Sequence, residues 1–177
     1  LLEGFALKDP VTTLGNRRML DEFLGMTLGT CRRKQRRVAV LLLLPEVELA
    51  SAQPLTEEQD QQFLRELASR LCKQMRGEDL AFRIQHNEFV TFVPECGDEE
   101  QVLALVYRLH RAMTQPYSLD NGIPLAVKIF IGIAIFPESG HNEEELLGNA
   151  RRALHSARQG KGAPFALFNH PEETALD

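Results

Sequence analysis

The chain has 177 residues, of which 44 % are hydrophobic and 25 % charged, a balance that suits one soluble globular domain and excludes a disordered chain. With 20 Lys and Arg against 25 Asp and Glu the formal charge is −5, the wrong sign for a dedicated DNA- or RNA-binding domain. The longest apolar runs, Val38–Leu44 and Ile129–Phe136, are far shorter than the ~20 residues of a membrane span, so no membrane contact by this domain is expected. Cys31, Cys72 and Cys96 form no CxxC pair; they suit a reducing, cytoplasmic setting and are expected in the core. The opening Leu1-Leu2-Glu3-Gly4 reads as a start partway through a longer protein.

Met19, Leu20, Phe23, Leu24 and Leu28 recur at helical spacing, which predicts a first helix from about residues 13–16 to 35. It ends in Arg32-Arg33-Lys34-Gln35-Arg36-Arg37. Cations there complement the helix dipole, and no aromatic residues interleave them as single-strand binding requires, so the run is read as a solvated helix end. Val38–Leu44 is a buried central strand, followed by an irregular stretch over 45–54. Thr56 caps a second helix that runs to about Arg76, with Phe63, Leu64, Leu67, Leu71 and Met75 on one face. A hairpin follows: Leu80–Ile84, the connection Gln85-His86-Asn87-Glu88, and Phe89–Val93. A helix over 98–114, a strand over 125–136, a helix over 143–159 opening on three glutamates, and a short strand over 165–168 complete the chain. The fold class is therefore α+β, a central and mostly antiparallel sheet flanked by helices. Histidines 86, 110, 141, 155 and 170 show no ligand spacing, so no zinc site is expected; His141 caps or precedes a helix.

Four segments, in order, resemble the GGDEF domain of bacterial diguanylate cyclases. Asp9-Pro10-Val11-Thr12-Thr13-Leu14-Gly15-Asn16-Arg17-Arg18 is similar to D-x-L-T-G-L-x-N-R-R. Arg76-Gly77-Glu78-Asp79 followed by Arg83-Ile84 is similar to R-x-x-D-x-x-x-R-x, which leads into the signature turn. Ile131-Gly132-Ile133-Ala134 with Pro137, Gly140 and Glu144-Glu145-Leu146-Leu147 resembles S-I-G-I-A-x-x-P-x-x-G then E-E-L-L. Ala150 to Gly162 resembles the closing A-D-x-A-L-Y-x-A-K-x-x-G-R-N, with His155 in the Tyr position, which points to packing. The resemblance covers residues 5–168 and implies the fold of adenylyl cyclase catalytic domains and the polymerase palm. Residues 169–177 are a tail or linker in which Phe168-Asn169-His170-Pro171-Glu172-Glu173-Thr174 resembles the connector to an EAL phosphodiesterase domain.

In that family two domains each bind GTP, and two magnesium ions support attack of one 3′-hydroxyl on the other's α-phosphate, so charged oxygen ligands are needed. The signature Gly-Gly-Asp/Glu-Glu-Phe reads Gln85-His86-Asn87-Glu88-Phe89 here. Large side chains replace the glycines, and neutral Asn87 replaces the metal-binding acid. After the first strand, Leu44-Pro45-Glu46-Val47-Glu48-Leu49-Ala50 lacks the family's Asp and Lys; Glu46, Glu48 and Glu88 are the weak metal candidates that remain. The guanine-reading Asn and Asp fall on Ala52 and Gln61, with Asp60 next to the latter, and the Gly-His pair falls on Thr56 and Glu57. Arg158 and Lys161 resemble the phosphate-binding Lys and Arg. No catalytic residue can be assigned, and the copy is read as degenerate.

Arg76-x-x-Asp79 is retained where the family keeps its product-binding inhibitory site. The resemblance implies an Arg that contacts a guanine edge and phosphate, an Asp that reads the guanine Watson–Crick edge, and a second arginine, Arg108, from the following helix, with Arg111 one turn on. Three readings stay open. The first is a silent regulatory module that binds cyclic di-GMP at Arg76, Asp79 and Arg108, beside an EAL or sensor domain of the same chain. The second is an active diguanylate cyclase, which alone would require Mg2+; no cofactor is otherwise expected. The third is a homodimerising or positioning scaffold, for which Asp79 merely caps or pairs near a helix end.

Overall fold

The computed structural model describes residues 6–48, 53–77, 79–120, 122 and 124–169. The opening Leu1–Gly4, the Ala52 position and the tail from His170 onward lie outside the described residues. Helix α1 (Arg17–Arg33) starts at Asn16, whose side chain accepts the Met19 N–H. Strand β1 spans Val38–Glu48, and α2 (Glu57–Gln74) opens with a reciprocal capping box between Thr56 and Gln59. Strands β2 (Leu80–Gln85) and β3 (Glu88–Pro94) form the hairpin; α3 (Glu99–Met113) opens with a second capping box, Asp98 with Gln101. Then come β4 (Tyr117–Ser118), β5 (Pro124–Phe136), α4 (Glu143–Gln159) and β6 (Phe165–Leu167). The strand order is β2-β3-β1-β5-β4, every neighbour antiparallel, with β6 added parallel to β5. The α+β architecture expected from the sequence is the one observed.

Period-two alternation divides the central strands between two cores. Ala39, Leu41 and Leu43 of β1, with Ile129, Ile131, Ile133 and Ile135 of β5, pack with Leu64, Leu67 and Leu71 of α2 and Val106 and Leu109 of α3. Val38, Val40 and Leu42, with Ala134 and Phe136, pack with Leu20, Leu24 and Leu28 of α1 and Leu146, Ala150 and Leu154 of α4. Both faces of β1 are covered, which is why its sequence is a continuous apolar run rather than an alternating one. In β5 the alternation holds over the first half and stops from Ile131, where α4 covers the second face.

The strand β1 runs past the predicted end at Leu44, through Pro45, to Glu48. Proline is tolerated because β3 ends its pairing at Leu43, and the Pro45 carbonyl, on that same side, accepts from Asn87 instead. Strand β4 was not legible because two residues carry no period. Its Tyr117 is buried, donates its hydroxyl to the Met113 carbonyl at 2.7 Å and meets Phe63 edge-on at 5.0 Å. Arg70 of α2 lies 3.8 Å over the Tyr117 ring and donates to the Gln115 and Pro116 carbonyls at 2.6 and 2.8 Å, closing the end of α3 from outside. The cation run is largely structural: Arg36 pairs with Glu95, Arg37 with Glu138 and the Gly97 carbonyl, and Arg32 with the His141 carbonyl. Two packing expectations are corrected. Cys31 is buried, but Cys72 on α2 is exposed and Cys96 only half-buried; His155 points to solvent from α4. His141 precedes α4, and Asn142 is its cap.

The loop before α1 is pinned by Asp9, which accepts from the Thr12 amide and hydroxyl at 2.8 and 2.7 Å and from Arg83 at 3.1 Å. Burial pushes the Asp9 carboxyl up, but these hydrogen bonds outweigh it and hold the group below the ordinary carboxylate range. To close this loop the exposed Thr13 adopts φ 62°, a left-handed conformation that a β-branched residue resists. Thr13→Gly should therefore raise stability by about 1 kcal/mol, the relief of roughly 1–2 kcal/mol less the extra entropy glycine loses on folding. A urea midpoint that rises at constant m checks it. Gly132→Ala should act oppositely, because a Cβ there would lie 2.0 Å from the Ala150 carbonyl oxygen of α4.

Candidate functional site

The hairpin connection is two residues, His86-Asn87, with Gln85 opposite Glu88; this corrects the four-residue connection expected. A bulge between Arg83 and Gln85 adjusts the strands, and neither His86 nor Asn87 takes a positive φ. The backbone of this turn thus makes no demand for glycine. Its side chains tie it down instead: Arg83 Nε donates to the His86 carbonyl at 2.9 Å, and His86 Nε2 lies 3.1 Å from Asp60 Oδ2 on α2. Asn87 Nδ2 reaches the Pro45 carbonyl at 3.5 Å.

The three metal candidates stand beside cations. Glu88 is 5 % exposed and its Oε1 accepts from Arg151 of α4. Glu46 Oε1 lies 2.5 Å from Arg158 Nε, a charge contact without a directed hydrogen bond, since that oxygen has no hydrogen-bond partner. Glu48 pairs with Lys128 across the β1–β5 ladder at 3.3 Å. Strand alternation puts Glu46 and Glu88 on the α4 side of the sheet, and Arg151 and Arg158, seven residues apart, lie on one face of that helix. Among the described residues no three His, Cys, Asp or Glu side chains come together in a way that could hold a metal ion. A divalent pair therefore does not fit these residues: one position is a neutral amide, and each remaining acid already faces a guanidinium or ammonium.

Other expected positions are also engaged locally. Arg158 sits on Glu46 rather than waiting for phosphate, and Lys161 is exposed beyond the end of α4. Gln61 accepts from Arg65 at 3.1 Å, and Thr56 and Glu57 form the start of α2. Arg151 was missed by sequence reasoning. The signal was present: Arg151 stands where the resembling pattern A-D-x-A-L-Y places an Asp, a charge reversal on the same chain that lost the acid at 87.

The Arg76 region forms a separate surface. The Asp79 carboxylate accepts the Arg76 amide at 2.9 Å, and the Asp79 amide donates to the Arg76 carbonyl at 2.9 Å. That turn leaves the Arg76 side chain exposed, and Arg108 Nη2 of α3 reaches the Gln74 carbonyl, two residues before Arg76, at 3.5 Å. The structure thus brings Arg76, Asp79 and Arg108 to one end of α2. Asp79 also lines a cleft of about 640 Å³ between α2 and the loop before α1. On the other face of the sheet, α1 and α4 meet at Asp21 and Glu143. Burial and then the hydrogen bond and charge of Asp21 push the Glu143 carboxyl up to about 7, with Arg17 opposing.

A family model for the diguanylate cyclase GGDEF domain matches residues 6–163. MucR of Pseudomonas aeruginosa, a bifunctional diguanylate cyclase/cyclic di-GMP phosphodiesterase, is 30 % identical over 163 residues, covering 92 % of this chain and 24 % of that protein. NbdA of the same organism, a cyclic di-GMP phosphodiesterase, is 29 % identical over 157 residues, covering 89 % of this chain and 20 % of that protein. The chain spans about a quarter or less of the length of these relatives. The crystal structure of the GGDEF domain of TpbB from P. aeruginosa superposes with a TM-score of 0.82 at 25 % identity, covering 90 % of this chain and 99 % of that one. The chain belongs to the GGDEF family of cyclic-di-GMP signalling domains.

Two measurements follow from the geometry. Arg151→Ala strands the buried Glu88 carboxylate and should cost about 1–3 kcal/mol, most of it recovered when Glu88→Gln is added; chemical denaturation of the four proteins of that cycle reads it directly. Glu143 has its folded pKa raised from 4.5 to about 7, so its contribution to stability is full below pH 4.5 and is lost as pH rises through 7. Glu143→Gln should flatten that window and be more stable than the wild type at pH 8, by on the order of 1 kcal/mol after solvent screening. Melting curves of both proteins at pH 5 and pH 8 decide it.

Proposed function

We propose that this GGDEF domain is catalytically silent and serves cyclic-di-GMP signalling as a regulatory module, with Arg76, Asp79 and Arg108 as its dinucleotide-binding surface. The observation that carries the first half is the pair of α4 arginines set against the two acids nearest the signature turn. Phosphoryl transfer by two metals needs uncompensated carboxylates to hold the ions and offset charge on the reacting phosphate. Here the acid at 87 is an amide, and a metal at Glu88 or Glu46 would have to displace a guanidinium. His86 and Gln85 add bulk where the family approaches nucleotide with bare backbone. The binding half is supported by the convergence of Arg76, Asp79 and Arg108 on one end of α2, away from the turn. A guanidinium there suits a phosphate or a guanine edge, and the carboxylate suits the donors of the Watson–Crick edge. MucR and NbdA, named for enzymes of cyclic-di-GMP turnover, support an output exerted on neighbouring domains, an EAL or sensor module in the same polypeptide.

With GTP and magnesium or manganese, purified protein should yield no cyclic di-GMP, and Gln85→Gly with His86→Gly and Asn87→Asp should not restore it. Product that disappears on Glu88→Ala would establish the active-cyclase reading instead. In calorimetric titration cyclic di-GMP should bind, and Arg76→Ala should weaken it roughly ten- to a hundred-fold, the worth of a charge-assisted hydrogen bond. Asp79→Ala should also relax selectivity for guanine over adenine dinucleotides. Absence of wild-type binding would leave the scaffold reading in place, and binding indifferent to both variants would put the ligand elsewhere.

A further inference from the structure

The cleft between α2 and the loop before α1 takes no part in the ion pairs beside the signature turn. Its volume, about 640 Å³, is that of a small-molecule site. Most of its lining is apolar: Leu14 and Ala68 are buried, and Val11, Met75, Leu80 and Ala81 are half-buried. One wall keeps its shape without a ligand. Asp9 accepts from the Thr12 amide and hydroxyl and from Arg83, and its own amide donates to the Leu14 carbonyl at 2.7 Å. The other wall is α2. A cleft formed in advance in this way costs an occupant little reorganisation.

Three charged side chains line the cleft: Lys8 on the loop, Arg65 on α2 and Asp79. Asp79 is already engaged with the Arg76 amide. Among the described residues neither cation is ion-paired with a carboxylate, and Arg65 meets only the neutral Gln61 at 3.1 Å. Burial raises the Cys72 thiol pKa and the Lys8 charge opposes it, which puts that ammonium near the thiol, on the α2 side of the opening. Cations thus outnumber carboxylates two to one over an apolar lining, on a chain whose net charge is −5. A neutral occupant would leave both cations unanswered, and a bare inorganic anion would leave the apolar lining wet. The geometry points to a binding site for a small organic anion with an apolar body, an aromatic carboxylate or sulfonate, its rings on Leu14, Ala68, Met75 and Ala81 and its charge between Lys8 and Arg65. Arg76 and Arg108 do not line the cleft, nor does Gln61, where the resemblance puts a guanine reader. The inference therefore does not rest on the proposed dinucleotide surface.

The probe is anilinonaphthalene sulfonate, an apolar anion, titrated into the isotopically labelled 177-residue chain while amide resonances are followed. Shifts should concentrate on residues 8–15, 65–75 and 79–81, the two walls and the strand edge between them. Phenylnaphthylamine, the same aromatic body without the sulfonate, should bind roughly ten-fold or more weakly. Lys8→Glu with Arg65→Glu should weaken the sulfonate roughly ten-fold or more and leave the neutral amine unchanged. Both sites are exposed, so the fold should survive the exchange. Ser69→Tyr fills the α2 wall at another exposed lining position and should exclude both probes without lowering the melting temperature. A sulfonate that shifts amides elsewhere, or none, would overturn the inference. Equal affinity for the neutral amine, or indifference to the double charge reversal, would overturn it as well, because apolar surface alone would then recruit the probe.

Discussion

The absence of a side chain at Gly132 sets the position of everything at the candidate site. A Cβ there would collide with the Ala150 carbonyl and the Leu154 amide, so α4 rests on β5 backbone to backbone. With Leu146, Ala150 and Leu154 turned into the sheet, the flanks of α4 hang over the ends of β1 and β3. That placement delivers Arg151 to Glu88 and Arg158 to Glu46. A helix held further from the sheet would lengthen these contacts and weaken the attraction between the charges.

The same ion pairs let the fold tolerate an amide at 87. Removing an acid at 87 alone would leave Glu88 and Glu46 as buried or half-buried charges, expensive unless a cation replaces the metal. Arg151 supplies that cation permanently from within the chain, and Arg158 does the same for Glu46. The scaffold therefore needs no ligand at this end to be electrostatically complete. At the opposite end Arg76 and Arg108 remain on the surface, where their charge is available to something outside the domain.

Most of the fold was legible because α1 and α2 show clean apolar stripes and Thr56 caps α2 where expected. The hairpin and β5 were legible as well. What failed did so for physical reasons. Strand β4 is too short to have a period, and β1 continues through a proline whose lost amide faces no partner strand. The length of the turn at 86–87 depended on a bulge in β2 that no local residue announces. At the site, sequence identified which groups had been lost but not what replaced them. Arg151 and Glu88 lie 63 positions apart, and only the seating of α4 on Gly132 makes them neighbours. Arg70 was invisible for the same reason, since its role is set by the carbonyls of a helix end 45 residues away.

The same charges bear on the proposed silence, because a single reversion at 87 leaves the arginines in place. An aspartate at 87 would stand one residue from Glu88, whose carboxylate already accepts from Arg151, so an ion arriving there would still meet that guanidinium. At about 4 Å and an effective dielectric near 20, a guanidinium repels each positive charge on an incoming ion by roughly 4 kcal/mol. That penalty doubles for a divalent ion and offsets what one restored carboxylate at a similar distance returns. Arg151 would have to leave first, and its departure is itself destabilising while Glu88 stays buried. The two changes are thus locked together in energy: each is unfavourable until the other has occurred. A chain in this condition keeps its sheet, its helices and, at the end of α2, the exposed Arg76 and Arg108.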